Sequence, residues 1–347
     1  KLLFPINKTK NTNKTKNTNK TKNPNKTKNL DYRIYKYKNN LVISFNTKMA
    51  TLTPEVLDGL NLALDQALAE QKALIVYQDQ VAHFSAGADL TSLAEAFLLE
   101  GAEAADPILQ NFQNTFLRLK YSSVPVVAAV QGYAFGGGCE LLLHCDRVVS
   151  AKNSFIGLVE VGVGLIPAAG GCTEMARRVS NSSDPSKKLL EVFENIALAK
   201  VSNSNINAKS KGYLEDKDLL IMQPDLLLKQ ASDMADFLWQ GGAYLPENPQ
   251  KIQVMGKDLK ALISMQIVNL QRGGRISEYD AYLANKLADV ICCANDLSLG
   301  ASDLNKVYVD NSVFLKAERE VFLELASNRK TQDRIEHLLQ TGRPLRN

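Results

Sequence analysis

Strands that alternate with amphipathic helices, small-residue turns at the strand ends, and a helical final third predict an α/β protein with a mainly parallel sheet. An apolar run at residues 41–45 (LVISF), a helical stripe and a second apolar run at 73–77 (ALIVY) follow one another closely, the pattern of a right-handed βαβ crossover. Turns at residues 85–88 and 136–138 contain only Ser, Ala and Gly. Beyond Pro246-Glu247-Asn248-Pro249, which reads as a linker, the periodicity is helical.

The elements can be taken in order. Residues 7–29 repeat NKTKNT or NKTKNP and carry no side chain able to build a core, so residues 1–39 read as a disordered low-complexity tail. Such a segment suits a linker, a basic arm for an acidic partner, or, through its N-K-T triplets, glycosylation. The chain begins with Lys rather than Met, which reads as a fragment. After the strand at 41–45, Thr53 is an N-cap, Pro54 the first helical residue, and Val56, Leu57, Leu60, Leu64 and Leu68 form one apolar face. Past the strand at 73–77, the octamer His83-Phe84-Ser85-Ala86-Gly87-Ala88-Asp89-Leu90 allows close backbone approach to a ligand, with Asp89 capping the next helix; taken alone it equally suits an ordinary strand-to-helix turn. Residues 106–121 form another helix, and Pro125 opens the buried strand VVAAV. The glycine run Gly136-Gly137-Gly138 leads into a helix through Glu140. Residues 40–245 are expected to form the core domain. Residues 246–347 are expected to form a helical lid and assembly region, with helices near 256–270, 277–292, 313–326 and 331–339 and a break at Gly273-Gly274.

Composition narrows the function. The chain has 347 residues, 45% of them hydrophobic, enough for a substantial core. Its net charge of +4 comes from the tail: nine lysines and no acid lie in the first thirty residues, leaving 32 basic against 37 acidic elsewhere. Nucleic-acid binding by the folded body is therefore not expected. Five cysteines without a C-x-x-C pair suit a reduced, cytoplasmic setting, three scattered histidines argue against a His-rich metal site, and no apolar run is long enough to span a membrane.

The chemistry concentrates in residues 131–171. Glu140 and Glu160 are twenty residues apart and each is flanked by apolar neighbours. A carboxylate seldom enters an apolar helix without a partner, which sets Glu140 apart from a solvated helix residue. Glu160, between Val159 and Val161, also fits the outward position of an alternating strand. His144, one turn past Glu140, reads as a satisfied core histidine. The unpaired N–H groups where the glycine run enters its helix could receive an oxyanion, so the stretch suggests acid–base work on a carbon next to a carbonyl.

The runs GGGCE, the second Glu twenty residues on, the following IP with its Gly-rich turn, and HFSAGADL upstream together resemble the crotonase (enoyl-CoA hydratase) superfamily. GLVEVGVGLIP and KTQDRIEHLLQTGRPLRN are most similar to the hydratase portion of bacterial bifunctional 3-hydroxyacyl-CoA dehydrogenase/enoyl-CoA hydratases. The resemblance implies a spiral core of ββα units with a C-terminal helical extension. It implies 2-enoyl-CoA hydration in fatty-acid β-oxidation, with Glu140 activating water, Glu160 protonating C2, and the amides of Ala88 and Gly137 as oxyanion hole. Phe84, Ser85, Ala86, Asp89, Leu90 and Ala168 would bind the substrate. It also implies an acyl-CoA substrate, no metal, and a homo-oligomer or a dehydrogenase partner. Δ3,Δ2-enoyl-CoA isomerase, which typically keeps only the second carboxylate, and a non-catalytic acyl-CoA-binding fragment are the rivals.

Two departures from the family matter. Thr91 stands where many relatives have a Lys near the CoA phosphates, and the turn reads Ile166-Pro167-Ala168-Ala169-Gly170-Gly171 where relatives have a glycine for Ala168. A left-handed backbone at Ala168 would be strained and would disturb the hold on Glu160. The nearest approach to a Gly-x-Gly-x-x-Gly fingerprint, Gly162 to Pro167, ends in proline inside the hydratase motif, so no NAD site is expected in this chain.

Overall fold

A computed structural model describes residues 30–240, 244–293 and 306–347. The expected tail at residues 7–29 lies outside these. Its anticipated end at residue 39 is too late, because Tyr32–Tyr37 is the first strand, β1. β1 has Tyr32, Ile34 and Lys36 on one face and Arg33, Tyr35 and Tyr37 on the other, and is half-buried at the sheet edge, so its mixed polarity lacks a clear strand period.

β1 pairs antiparallel with β2 (Asn40–Phe45), every residue of which is buried. β3 (Leu74–Tyr77), β4 (Val126–Phe135), β5 (Arg147–Gly157) and β6 (Leu219–Ile221) then add in chain order, each parallel to the last. The period-2 alternation of these strands divides the interior. Ile43, Val76, Ala128 and Val130 point into the main core, while Val42, Ile75, Val127, Ala129 and Val149 pack against a helix on the other face.

Beyond each main strand the chain turns and forms a second row. Leu52 bridges Ala88, Ser85 bridges Ala134, and after an irregularity past Val130 the segment Gly132–Phe135 pairs with Ser154–Gly157. The Ser202 amide closes the row on the Ile156 carbonyl at 2.9 Å. Strand, short strand and helix recur along the chain, so the core winds as a spiral of ββα turns.

Helices α1 (Pro54–Glu70), α2 (Leu90–Glu100), α3 (Asp106–Lys120) and α4 (Gly137–Leu143) connect the strands up to β5. Thr53 and Asp89 cap α1 and α2 as the sequence predicts. α5 (Gly171–Ser180), α6 (Pro185–Ala197) and α7 (Asn205–Ser210) lead to β6, and α8 (Leu227–Trp239) covers the second sheet face through Leu227, Ala231 and Ala235. Residues 246–249 belong to no element.

The final third contains α9 (Gly256–Arg272), α10 (Glu278–Cys292), α11 (Asn311–Ala326) and α12 (Arg329–Thr341), with a two-residue pairing of β7 (Ile252–Gln253) and β8 (Tyr308–Val309). These helices are integral to the core: α10 packs on α5 and α6, α11 on α3 and α5, and α12 on α2.

Candidate active site

α4 opens at a turn that only glycine fits. Gly136 has φ +53°, and a Cβ there would lie 3.0 Å from Glu160 Oε1. The turn brings Glu140, in the first turn of α4, and Glu160, just after β5, to the same cavity of about 240 Å³. Glu160 begins a short 3-10 turn, Glu160–Val163, and so is not the outward residue of a strand.

The two carboxyls are held differently. Glu140 Oε1 accepts from the Ala169 and Gly171 amides, both at 2.8 Å. Burial drives its carboxyl up to about 7, with the two amides opposing. Both oxygens of Glu160 are buried without a hydrogen-bond partner among the described residues. Burial, then the Glu140 charge, push its carboxyl well above the usual range, and the nearby Val159 and Glu160 amides only temper the rise.

The Ala88 and Gly137 amides meet at the cavity wall. A Cβ on Gly137 would stand 3.2 Å from the Ala88 nitrogen, and one on Gly87 would stand 3.3 Å from the Gly137 nitrogen. Neither N–H has an acceptor among the described residues, and Gly137 is the first residue of its helix. Leu90, Leu93, Leu109, Phe112, Phe322 and Leu338 supply much of the apolar lining.

Of the residues expected to bind substrate, Ala86, Leu90 and Ala168 line this cavity, whereas Phe84, Ser85 and Asp89 do not. Phe84 is buried in the core, Ser85 Oγ accepts from the Gly87 amide at 3.1 Å, and Asp89 caps α2. These three shape the turn that presents Ala88. The strain expected at Ala168 is absent, because the left-handed position falls on Gly170, with φ +104°. The ring of His144 occupies the space a Cβ at Gly170 would need, and its Nδ1 lies 2.7 Å from the Glu140 carbonyl. Burial holds this histidine down at about 4 and therefore neutral, as a core histidine.

Three residues of the last helices that sequence reasoning missed support the two glutamates. Glu318, fully buried on α11, accepts from the Gly170 amide at 2.9 Å and from the Thr173 hydroxyl at 2.7 Å. On α12, the Thr331 hydroxyl donates to the Gly164 carbonyl at 2.6 Å, and Arg334 Nη1 donates to the Val161 carbonyl at 3.2 Å. The overlooked signal is a charge inside an apolar stripe: Glu318 falls among Phe314, Leu315, Val321, Phe322 and Leu325, and Arg334 beside Ile335. Among the described residues no cluster of His, Cys, Asp and Glu could hold a metal ion, and no helix is long and apolar enough to cross a membrane.

The pattern of the enoyl-CoA hydratase/isomerase family matches residues 36–185. A "Probable 3-hydroxyacyl-CoA dehydrogenase" of Bacillus subtilis is 33% identical over 307 residues, covering 88% of this chain and 38% of that protein. A "Putative fatty acid oxidation complex trifunctional enzyme" of Rickettsia felis is 30% identical over 315 residues, covering 89% of this chain and 39% of that protein. The chain thus spans about two fifths of the length of these relatives. The "Short-chain-enoyl-CoA hydratase" of Clostridium acetobutylicum is 33% identical over 171 residues, 46% of this chain and 63% of that enzyme. Among solved structures, an enoyl-CoA hydratase/isomerase from Xanthobacter autotrophicus Py2 superposes with a TM-score of 0.58 at 20% identity, covering 90% of this chain and 94% of that one, and shares the fold.

Proposed function

Since the chain carries a domain of the enoyl-CoA hydratase/isomerase family at residues 36–185, we propose that it is a 2-enoyl-CoA hydratase. The observation that carries this reading is the inequality of two carboxyls on one cavity. Glu140, which accepts from two amides, releases its proton before Glu160, whose oxygens accept no close hydrogen bond among the described residues. An ionised base and a protonated acid then coexist near neutral pH, the division of labour that hydration needs.

In the reaction, Glu140 takes a proton from water as the water oxygen bonds to C3 of the enoyl thioester. The double-bond electrons move through C2 onto the thioester oxygen, which the Ala88 and Gly137 amides receive. The carbonyl re-forms as C2 takes the Glu160 proton, and return of a proton from Glu140 to Glu160 resets the pair. Atoms and charge balance without an oxidant or a metal. Loss of one donor from such an oxyanion pair costs about 3–4 kcal/mol of transition-state stabilisation, so the amides weigh as much as the carboxyls.

The 3-hydroxyacyl-CoA product is a substrate for a dehydrogenase, which accords with the names of the longer relatives and with a dehydrogenase partner. Five buried cysteines, with no disulfide among the described residues, favour a cytoplasmic setting.

Crotonyl-CoA hydration tests the proposal. Glu140→Gln and Glu160→Gln should each lower kcat by about 10²–10⁴-fold, with KM little changed. Turnover of a 3-enoyl-CoA that survives Glu140→Gln, with no crotonyl-CoA hydration, would establish an isomerase instead. Acyl-CoA binding without any turnover would leave a binding fragment.

A further inference from the structure

The turn before α5 offers its amides alternately to two carboxylates. Ala169 and Gly171 donate to Glu140, while Gly170 donates to Glu318 Oε2 at 2.9 Å and Thr173 to Glu318 Oε1 at 2.5 Å, with the Thr173 hydroxyl adding a bond at 2.7 Å. Two acidic side chains therefore share the positive N-terminal end of one helix. Glu318 is fully buried, lines no part of the cavity and forms no ion pair among the described residues. A buried carboxylate held only by neutral donors is costly, and well-packed apolar side chains fill the rest of its helix stripe.

We propose that Glu318 is a positioning residue for the reaction: by fixing the Gly170 and Thr173 donors it turns the neighbouring Ala169 and Gly171 amides onto Glu140 and places a second buried carboxyl behind the acid–base pair. A peptide plane that swung by one position would offer Glu140 a carbonyl in place of a donor. This inference rests on the hydratase reading of the same cavity. It also makes the helical C-terminal region part of the catalytic apparatus, beyond a cover for the acyl chain.

The titratable groups that interact with Glu318 are Glu140 from α4, Glu160 from its turn and Cys172 on α5, and the His144 ring lies beside Gly170, whose amide Glu318 holds. The neighbouring cation on its own helix, Arg319, is directed to Asp106 and Gln113. Burial, then the Glu140 charge, push the Glu318 carboxyl itself up to about 8, so its charge is present on the alkaline side, where it adds to the rise at Glu160 after burial and Glu140. Removing it lets Glu160 lose its proton more easily. The acid form that hydration needs then disappears at lower pH.

The test is crotonyl-CoA hydration against pH for Glu318→Gln, Glu318→Asp and Thr173→Val. In Glu318→Gln we expect kcat to fall by about 10–100-fold, the range seen for groups that orient a ligand from behind. KM should stay near the wild-type value, and the alkaline limb should move to lower pH. Glu318→Asp, which retains the charge, should restore the limb and part of kcat. Thr173→Val should move the limb slightly in the same direction, and serves if Glu318→Gln does not fold. Carboxyl-carbon NMR titration of Glu160 should show the same shift without turnover. A folded Glu318→Gln protein with wild-type kcat and limbs overturns the proposal and spares the hydratase reading. So does a kcat loss with unmoved limbs that Glu318→Asp fails to relieve. A wild type that hydrates no enoyl-CoA, with no NMR shift at Glu160, removes both.

Discussion

Ala168 shows how a single methyl group is judged by its backbone. Its carbonyl accepts from Gln113 Nε2 at 2.9 Å, and its φ lies outside the left-handed region occupied two residues later by Gly170. Ala168→Gly, which restores the family's usual residue, should therefore leave hydration unchanged. It should lower stability by about 0.5–1 kcal/mol through added freedom in the unfolded chain, read as a lower urea midpoint. A clear gain in kcat would show that the methyl group obstructs the site. Glu140 and the caps Thr53 and Asp89 were legible as residues, because apolar surroundings or a following helix leave a polar side chain few alternatives. Glu160 was only half legible, since Val159 and Val161 around it mimic a strand's alternation and the 3-10 turn depends on Gly164 beyond. Glu318 was hidden because its donors lie 148 and 145 positions away in the chain.

Elements transmit the charge balance beneath the site. Between α3 and α5, Lys120 Nζ and Arg177 Nε each lie 2.9 Å from Glu174 Oε2, all within the interior. Burial alone would raise the Glu174 carboxyl, but Lys120 and then Arg177 outweigh it and bring it down to about 2. A depressed carboxyl contributes stability that is complete above its unfolded value near 4.5 and is lost as pH falls toward 2. Urea midpoints should accordingly drop between these limits in the wild type and much less steeply in Glu174→Gln. Equal slopes would mean that other acids govern acid unfolding. The helices were readable from their stripes and the sheet from its apolar runs, but β4 runs past VVAAV to Phe135, and Gly132, at an irregularity in its pairing, reads as a turn. β1 was missed because an edge strand exposed on one side needs no apolar run.

Across the whole molecule, the two carboxylate turns are tied to the end of the chain. Arg334 is 1% exposed and joins the Val161 carbonyl, Asp280 at 2.8 Å and Asn347 at 2.8 Å, so α12, α10 and the C-terminus converge behind Glu160. Removing one partner of a buried ion pair costs about 3–5 kcal/mol. Arg334→Met should therefore lower stability by about that amount in urea unfolding and reduce kcat as the Glu160 turn loosens. A folded variant with both properties intact would show that the turn is held by its own glycines and the Thr331 bond. The mainly parallel sheet was foreseeable because strand–helix alternation is local in sequence, and the spiral followed only from the family resemblance, whereas the attachment of the active turns to residues past 310 is a property of three-dimensional closure.

That closure has a consequence for biosynthesis. Of the two acids served by the alternating amides at the start of α5, Glu140 is translated before them, whereas Glu318 belongs to α11 and emerges nearly 150 residues later. A ribosome-bound chain can wind its spiral and present Glu140 and Glu160 while half of that hydrogen-bond pattern still lacks its acceptor. On this view the spiral is shaped well before it is competent, and competence arrives only once α11 has emerged and docked.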